Sequence, residues 1–390
     1  MELMKKSYEI SLIGLEIGNE NMGCVALSYA FLNLLRQVGE ELDITMNITA
    51  ISYDDKKFEG DDVIKSYEVI RVHPKQISFW KSLKDNFKNA DIIFDFTLGD
   101  SFSDIYGSER YIKTNLLKAA AIKYNSRFIL GPQTYGPYTR GWARSWASKI
   151  IGKSYKVYSR DEASAVVLEK MGNRDVTVVT DIAFALPYDK KDIQCGDKIK
   201  VAINPSGLLW RGGYTGDNQF GLSIDYQDYC KGIVESLLNR GDVEIYLLPH
   251  VGTSDGNMEN DREACKRLHE LYPATHVIDD INSPMLAKDY IAAMDVLVAA
   301  RMHATVGGVS AGVATIPVAY SRKFKGLFDN IGYEYVLDVK KLSTKEAIDQ
   351  TLEWISDYKN LQKAAVLAGE SASGKLDSFK KDLIKIFKAI

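Results

Sequence analysis

Residues 295–320 read DVLVAARMHATVGGVSAGVATIPVAY. An apolar run, Asp295–Ala299, leads into a helical pattern after Met302, and a second apolar run follows at Thr315–Tyr320. Strand, helix and strand in that order, with small residues in the helix that allow close backbone packing, form the repeating unit of a parallel sheet covered by helices.

The same rhythm extends in both directions. Upstream of this unit, the second half of the chain offers strands at Ile199–Asn204, Glu244–Leu248 and His276–Ile278, with helices at Asp225–Leu238, Asp261–Leu271 and Pro284–Met294. The first half offers strands at Tyr8–Leu15, Ile44–Tyr53, Tyr67–Val72, Asp91–Phe96, Arg127–Leu130, Lys156–Tyr158 and Val176–Val179, and helices at Gly23–Val38 and Ile112–Tyr124. A turn-like stretch from Pro187 to Asp197 separates the halves. The expected architecture is α/β, with two Rossmann-like doubly wound domains facing a central cleft: residues 1–187, residues 198–343, and a charged helical segment at 344–390 that packs on either domain.

Composition agrees. The chain has 390 residues, more than one core usually serves, and is 46% hydrophobic and 26% charged. A net charge of -3 argues against nucleic acid as a partner, although a local cluster of cations still suits an anionic small molecule. The four cysteines form no Cys-x-x-Cys pair, which fits a reducing cytoplasm and suggests neither a zinc knuckle nor a disulfide framework. Met1–Ile10 carries Lys5 and Lys6 but no cleavage-site pattern, and no stretch reaches the ~18 apolar residues of a membrane span.

In open parallel sheets, ligands bind beyond the carboxyl ends of the strands. Asp100, Gln133, Arg160, Asp161, Asp181, His250, Arg301, His303 and Lys323 all follow expected strands. Any one of them alone is as readily a helix cap or a solvated loop residue. Arg160 offers a planar fork suited to carboxylate or phosphate, with a local salt bridge to Asp161 or Glu162 as the alternative. Arg301 and His303 put a cation and a titratable imidazole at one strand-to-helix junction. Tyr320-Ser321-Arg322-Lys323-Phe324-Lys325 delivers three cations in four residues, of which Arg322 and Lys325 read as solvated.

These elements, in this order, resemble the polysaccharide pyruvyl transferase family over residues 10 to 335. The resemblance rests on Gly18-Asn19-Glu20-Asn21-Met22-Gly23-Cys24-Val25-Ala26-Leu27, on Asp95-Phe96-Thr97-Leu98-Gly99-Asp100-Ser101, and on Gly131-Pro132-Gln133-Thr134-Tyr135-Gly136-Pro137. It continues through Arg160-Asp161-x-x-Ser164, Asp181, Arg301-x-His303-Ala304 and Tyr320-x-x-Lys323. The family often has an acidic residue where Cys24 stands, and paired glycines where Leu98 and Gly99 stand.

The resemblance implies a GT-B-like transferase that moves pyruvate from phosphoenolpyruvate onto two hydroxyls of a hexose, forming a cyclic ketal and releasing phosphate. His303 would be catalytic, with Arg160, Arg301 and Lys323 binding the donor. Asn21, Asp100, Gln133, Tyr135 and Trp210 would contact the acceptor, a hexose-containing glycan of exopolysaccharide or capsular synthesis, finished or lipid-linked. No metal or nucleotide cofactor is expected. The helical stretch Tyr138–Lys153 mixes tryptophans with cations, as a segment resting peripherally on the inner face of the cell membrane would, although such spacing more often faces a sheet. Two other functions share the layout: a nucleotide-sugar glycosyltransferase and a non-catalytic glycan-binding protein. A dehydrogenase is disfavoured, because Gly14 and Gly18 do not complete the dinucleotide fingerprint.

Overall fold

A computed structural model describes residues 5–172, 175–252 and 257–390; Met1–Met4, the start of the stretch tested for a leader, lie outside them. By its contacts the chain divides into two units. The first comprises residues 1–19, 27–185 and 374–390, and the second residues 20–26 and 186–373.

The first unit is built on strands β1 (Ser7–Ile13), β2 (Thr45–Ser52), β3 (Ile64–Arg71), β4 (Ile92–Asp95), β5 (Phe128–Gln133), β6 (Lys156–Ser159) and β7 (Thr177–Val178). They pair in parallel in the order β3-β2-β1-β4-β5-β6-β7. Its helices are α1 (Met22–Leu42), α2 (Ile77–Asn89), α3 (Ser108–Tyr124), α4 (Gly141–Ile151) and α5 (Glu162–Lys170), the first turn of α1 falling in the second unit. The central strand β4 is buried along its whole length, and Phe94 meets Phe31 of α1 with ring centroids 5.0 Å apart. In α4 the buried residues are Ala143, Ala147, Ile150 and Ile151, so that this basic helix turns its apolar stripe to the core.

The second unit has β8 (Ile199–Asn204), α6 (Gly207–Trp210), α7 (Tyr226–Arg240), β9 (Val243–Leu247), α8 (Asp261–Leu271), β10 (His276–Val277) and α9 (Pro284–Ala292). After these come β11 (Val296–Ala299), α10 (Met302–Ser310), β12 (Ala314–Ala319), α11 (Arg322–Asn330), β13 (Leu337–Asp338), α12 (Thr344–Ser356) and α13 (Tyr358–Ala389). The sheet order is β10-β9-β8-β11-β12-β13, again all parallel. Both sheets therefore reverse direction beside their first strand, at β1/β4 and β8/β11, as doubly wound Rossmann-like sheets do.

The tail serves both units. Residues up to Ser373 belong to the second, while Gly374–Ile390 complete the first. There Phe387 accepts a hydrogen bond from the Tyr8 hydroxyl through its carbonyl at 3.0 Å, and Phe379 packs on Tyr158.

Candidate functional site

In the second unit, the reversal of strand order brings Asn204 at the end of β8 next to Arg301 just past β11. The Asn204 Oδ1 accepts from the Arg301 backbone N–H at 3.1 Å. Asp261, fully buried at the start of α8, is the hub of this edge. One of its carboxylate oxygens accepts from Arg301 Nη2 at 2.8 Å and from the Gly207 N–H at 2.8 Å. The other accepts from the backbone N–H groups of His250 and Val251 at 3.1 and 3.0 Å, and from Asn204 Nδ2 at 3.3 Å. A single carboxylate thus ties together the ends of β8, β9 and β11 and the start of α6.

The Arg301 fork is largely committed. Nε also faces Asp261, Nη2 donates to the Glu259 carbonyl at 2.7 Å, and Nη1 donates to the Glu259 carboxylate at 3.3 Å. Of the five guanidinium N–H groups, a single Nη1 hydrogen is left for a ligand among the described residues. The two acids hold the guanidinium firmly in its charged form despite burial.

Two residues further on, His303 lies in the first turn of α10, on a backbone fixed by this network. Its Nδ1 is 2.2 Å from the point where a Cβ on Gly23 would stand, so the imidazole lies directly against the first turn of α1. Asn21 shapes that turn, its Oδ1 accepting from the Gly23 N–H at 2.9 Å while its backbone bridges Val251. His250 is buried beside these groups. Desolvation, reinforced by the charges of His303 and Arg301, pushes its imidazole down to about 3, so it stays neutral. Lys323 is half-buried in the first turn of α11, whereas Arg322 and Lys325 are exposed. Trp210 is buried at the end of α6, its carbonyl accepting from Gln227 Nε2 at 2.9 Å.

In the first unit, Arg160 follows β6 and is 2% exposed. Its Nη1 donates to Asp181 at 2.9 Å, and Asp161, 3.9 Å from Nε, caps α5 by accepting from the Ser164 N–H. The Ser164 hydroxyl accepts in turn from the Tyr135 N–H at 3.1 Å. Arg160 also sits beside Gly99, its Nη1 3.4 Å from where a Cβ would be. Gln133 is wholly buried and donates from Nε2 to the Asp95 carbonyl at 3.0 Å. The Tyr135 hydroxyl donates to the Tyr158 carbonyl inside the core, and Asp100 accepts from the Tyr106 hydroxyl at 2.9 Å.

The structure therefore gathers Asn21, Arg301 and His303 in the second unit, which also holds Lys323 and Trp210. Arg160, Asp100, Gln133 and Tyr135 lie in the first unit. Sequence reasoning did not single out Asn204, Glu259 or Asp261. Their only signal is position, at a strand end or a helix start, since the partner of Arg301 is chosen by tertiary contact.

The model of the polysaccharide pyruvyl transferase family matches residues 21–322. The chain belongs to that family. This match runs from Asn21 to Arg322 and so takes in the network around Arg301 and His303. No curated protein sequence matches the chain. Among solved structures, it is similar to sucrose-phosphate synthase from Thermosynechococcus elongatus (TM-score 0.61, 10% identity, 98% of each chain covered). It is also similar to UDP-GlcNAc 2-epimerase from Neisseria meningitidis bound to UDP-GlcNAc (TM-score 0.54, 12% identity, 96% of this chain and 99% of that one). A third similar structure is Anabaena HepE in complex with UDP and glucose (TM-score 0.55, 10% identity, 98% and 100% covered). At such identities these likenesses show the fold, paired Rossmann-like domains of the GT-B kind. No described helix is long and apolar enough to cross a membrane.

Proposed function

We propose that this pyruvyl transferase takes pyruvate from phosphoenolpyruvate and attaches it as a cyclic ketal to two hydroxyls of a hexose, in a polysaccharide or its lipid-linked precursor. The observation that carries the reading is the Arg301-x-His303 junction at the strand-order reversal. There a buried ion-pair network fixes the start of α10 and sets a titratable imidazole against a helix N-terminus, a placement that suits an anionic ligand.

In the proposed reaction, protonated His303 donates its proton to the methylene carbon, which becomes the methyl group, and the adjacent carbon accepts one sugar hydroxyl. The carbon–oxygen bond to phosphate breaks, and the second hydroxyl closes the ring. Of the two hydroxyl protons released, one restores His303 and the other leaves with phosphate. Lys323 and the remaining Nη1 hydrogen of Arg301 stabilise the departing phosphate, while the Asp261 and Glu259 contacts position the junction. Arg160 is the cation the first unit offers for the donor. Asn21, Asp100, Gln133, Tyr135 and Trp210 are proposed for the acceptor side, with Gln133, Tyr135 and Trp210 acting through packing because all three are buried. We place the reaction in the cytoplasm, in exopolysaccharide or capsule synthesis.

The test is incubation with phosphoenolpyruvate and a panel of aryl or lipid-linked hexosides, reading phosphate release and acceptor mass. Phosphate with a matching pyruvyl gain, abolished by His303→Gln while donor binding persists, supports the reading. Consumption of nucleotide sugars in place of phosphoenolpyruvate would support a glycosyltransferase instead.

A further inference from the structure

Between α6 and α7, residues 211–225 form neither helix nor strand. Gly212, Gly213, Gly216, Asn218 and Gly221 have φ between +58° and +92°, in the left-handed region, so this loop turns tightly and repeatedly. Its tip is fastened to itself: the Tyr214 N–H donates to Gln219 Oε1 at 2.9 Å, and Asn218 Nδ2 donates to the Leu222 carbonyl at 2.8 Å.

The outward contacts of that tip fall on the neighbours of the two cations proposed for the donor in this unit. Phe220 meets Tyr320, which stands three residues before Lys323, with ring centroids 5.0 Å apart. The Tyr214 hydroxyl donates to Glu259 Oε1, while the other oxygen of the same carboxylate accepts from Arg301 Nη1 at 3.3 Å. All of these residues belong to the second unit. Tyr214 is 56% exposed, so packing restrains the ring little and the hydroxyl bond gives it its direction. Desolvation, and then the Glu259 carboxylate, push the phenol above its ordinary range, and the hydroxyl stays a donor at neutral pH.

Glu259 is therefore shared between a phenol and a guanidinium, and the sharing matters because one Nη1 hydrogen of Arg301 is left for a ligand among the described residues. A carboxylate beside a guanidinium gains most when both of its oxygens accept from it. Released from Tyr214, the Glu259 carboxylate can turn both oxygens on Nη1 and take that last hydrogen. Held by Tyr214, it gives Nη1 one oxygen only. The hydroxyl also partly meets a negative charge that would otherwise repel an anion at Arg301. Both effects favour the anion, and both depend on the charge of Glu259.

We propose that Tyr214 is a positioning residue of an anion site: it holds Glu259 off the last Arg301 N–H and so keeps that donor open to the phosphate or carboxylate of the donor substrate. Naming the anion as phosphoenolpyruvate rests on the transfer reading above; the anion site itself does not. The experiment is calorimetric titration of the full-length protein with phosphoenolpyruvate and, separately, with inorganic phosphate. Tyr214→Phe should weaken binding of whichever anion the wild type takes by about tenfold, the loss of one hydrogen bond at a charged group. In the Glu259→Gln background the same tyrosine change should shift Kd by less than about twofold, because the competing carboxylate is gone. If Glu259→Gln does not fold, Glu259→Asp, a methylene too short to reach Nη1, takes its place with the same expectation. Unchanged binding in Tyr214→Phe, an equal loss with and without the Glu259 carboxylate, or a wild-type protein that binds neither anion would overturn the proposal. Phosphate release separates the two claims. Turnover whose donor KM is indifferent to Tyr214→Phe removes the role of Tyr214 and keeps the transfer. Tyr214-dependent anion binding without pyruvyl transfer to any hexoside keeps that role and removes the transfer.

Discussion

Replacing Gly23 with alanine should disable the enzyme without unfolding it. A Cβ at this position would stand 2.2 Å from His303 Nδ1, whereas ordinary contact begins near 3.4 Å. The imidazole must therefore retreat by about 1.2 Å, because the α1 backbone is the stiffer partner. Misplacement of a reacting group by about 1 Å costs roughly 10²-fold in rate, or about 2.7 kcal/mol of transition-state stabilisation. The same displacement costs stability, about 1–3 kcal/mol for an overpacked contact, of which the preference for alanine over glycine in a helix offsets up to about 1 kcal/mol. Steady-state phosphate release at saturating donor, with a thermal melt on the same sample, reads both effects. A folded Gly23→Ala protein with wild-type kcat would refute the argument, because the His303 position seen here could not then be the reactive one.

Asp261→Asn leaves Arg301 buried beside a weakened acceptor and loosens three strand ends, so denaturant unfolding should show a loss of about 3–5 kcal/mol. His250 makes stability pH-dependent. Its folded value is about 3 against 6.5 for a free imidazole, so between those values the unfolded chain takes up a proton that the folded chain refuses. Its contribution is complete above pH 6.5 and is lost as pH falls, at up to about 1.4 kcal/mol per pH unit. Subtracting the denaturation profile of His250→Asn from that of the wild type should isolate this slope; identical profiles would remove the assignment. Arg160→Lys keeps the charge but not the fork to Asp181 and Asp161, and should raise the donor KM at least tenfold with less effect on kcat; an unchanged KM would confine Arg160 to a structural role.

Most of the fold was legible because parallel strands here are continuous apolar runs. The expected strand Asp295–Ala299 is observed as Val296–Ala299, and α8 occupies the expected Asp261–Leu271. The strand expected to end at Leu130 runs on through Gly131 and Pro132 to Gln133. It does so across a register irregularity before Gln133 pairs with Ser159, and turn-like residues hide such a feature. Helix α2 was not anticipated; its buried residues are only Phe79, Leu83 and Phe87 in a Lys-rich setting. Trp210, expected to contact the acceptor, is buried in a helical turn capped by Ser206.

The site was legible as residue types and positions, not as partnerships. Sequence places Arg301 and His303 at a strand end, but the acid that commits the Arg301 fork lies 40 residues away in the chain. The sequence also shows Gly14 and Gly18 as an incomplete cofactor fingerprint. In the structure Gly14 has φ +69°, and a Cβ there would meet the Thr97 backbone nitrogen at 2.5 Å, so this glycine serves the tight turn after β1. Leu98 has φ 54°, the left-handed region in which the family's glycine would be at ease.

The central claim is ketal-forming transfer with protonation at the methylene carbon, and running the reaction in D₂O tests it most directly. With phosphoenolpyruvate and an accepted hexoside, mass spectrometry and NMR should find a product methyl group carrying one solvent deuterium, with phosphate released in equal amount. A product that keeps a carbon–carbon double bond, or one that forms without phosphate release, would contradict the account.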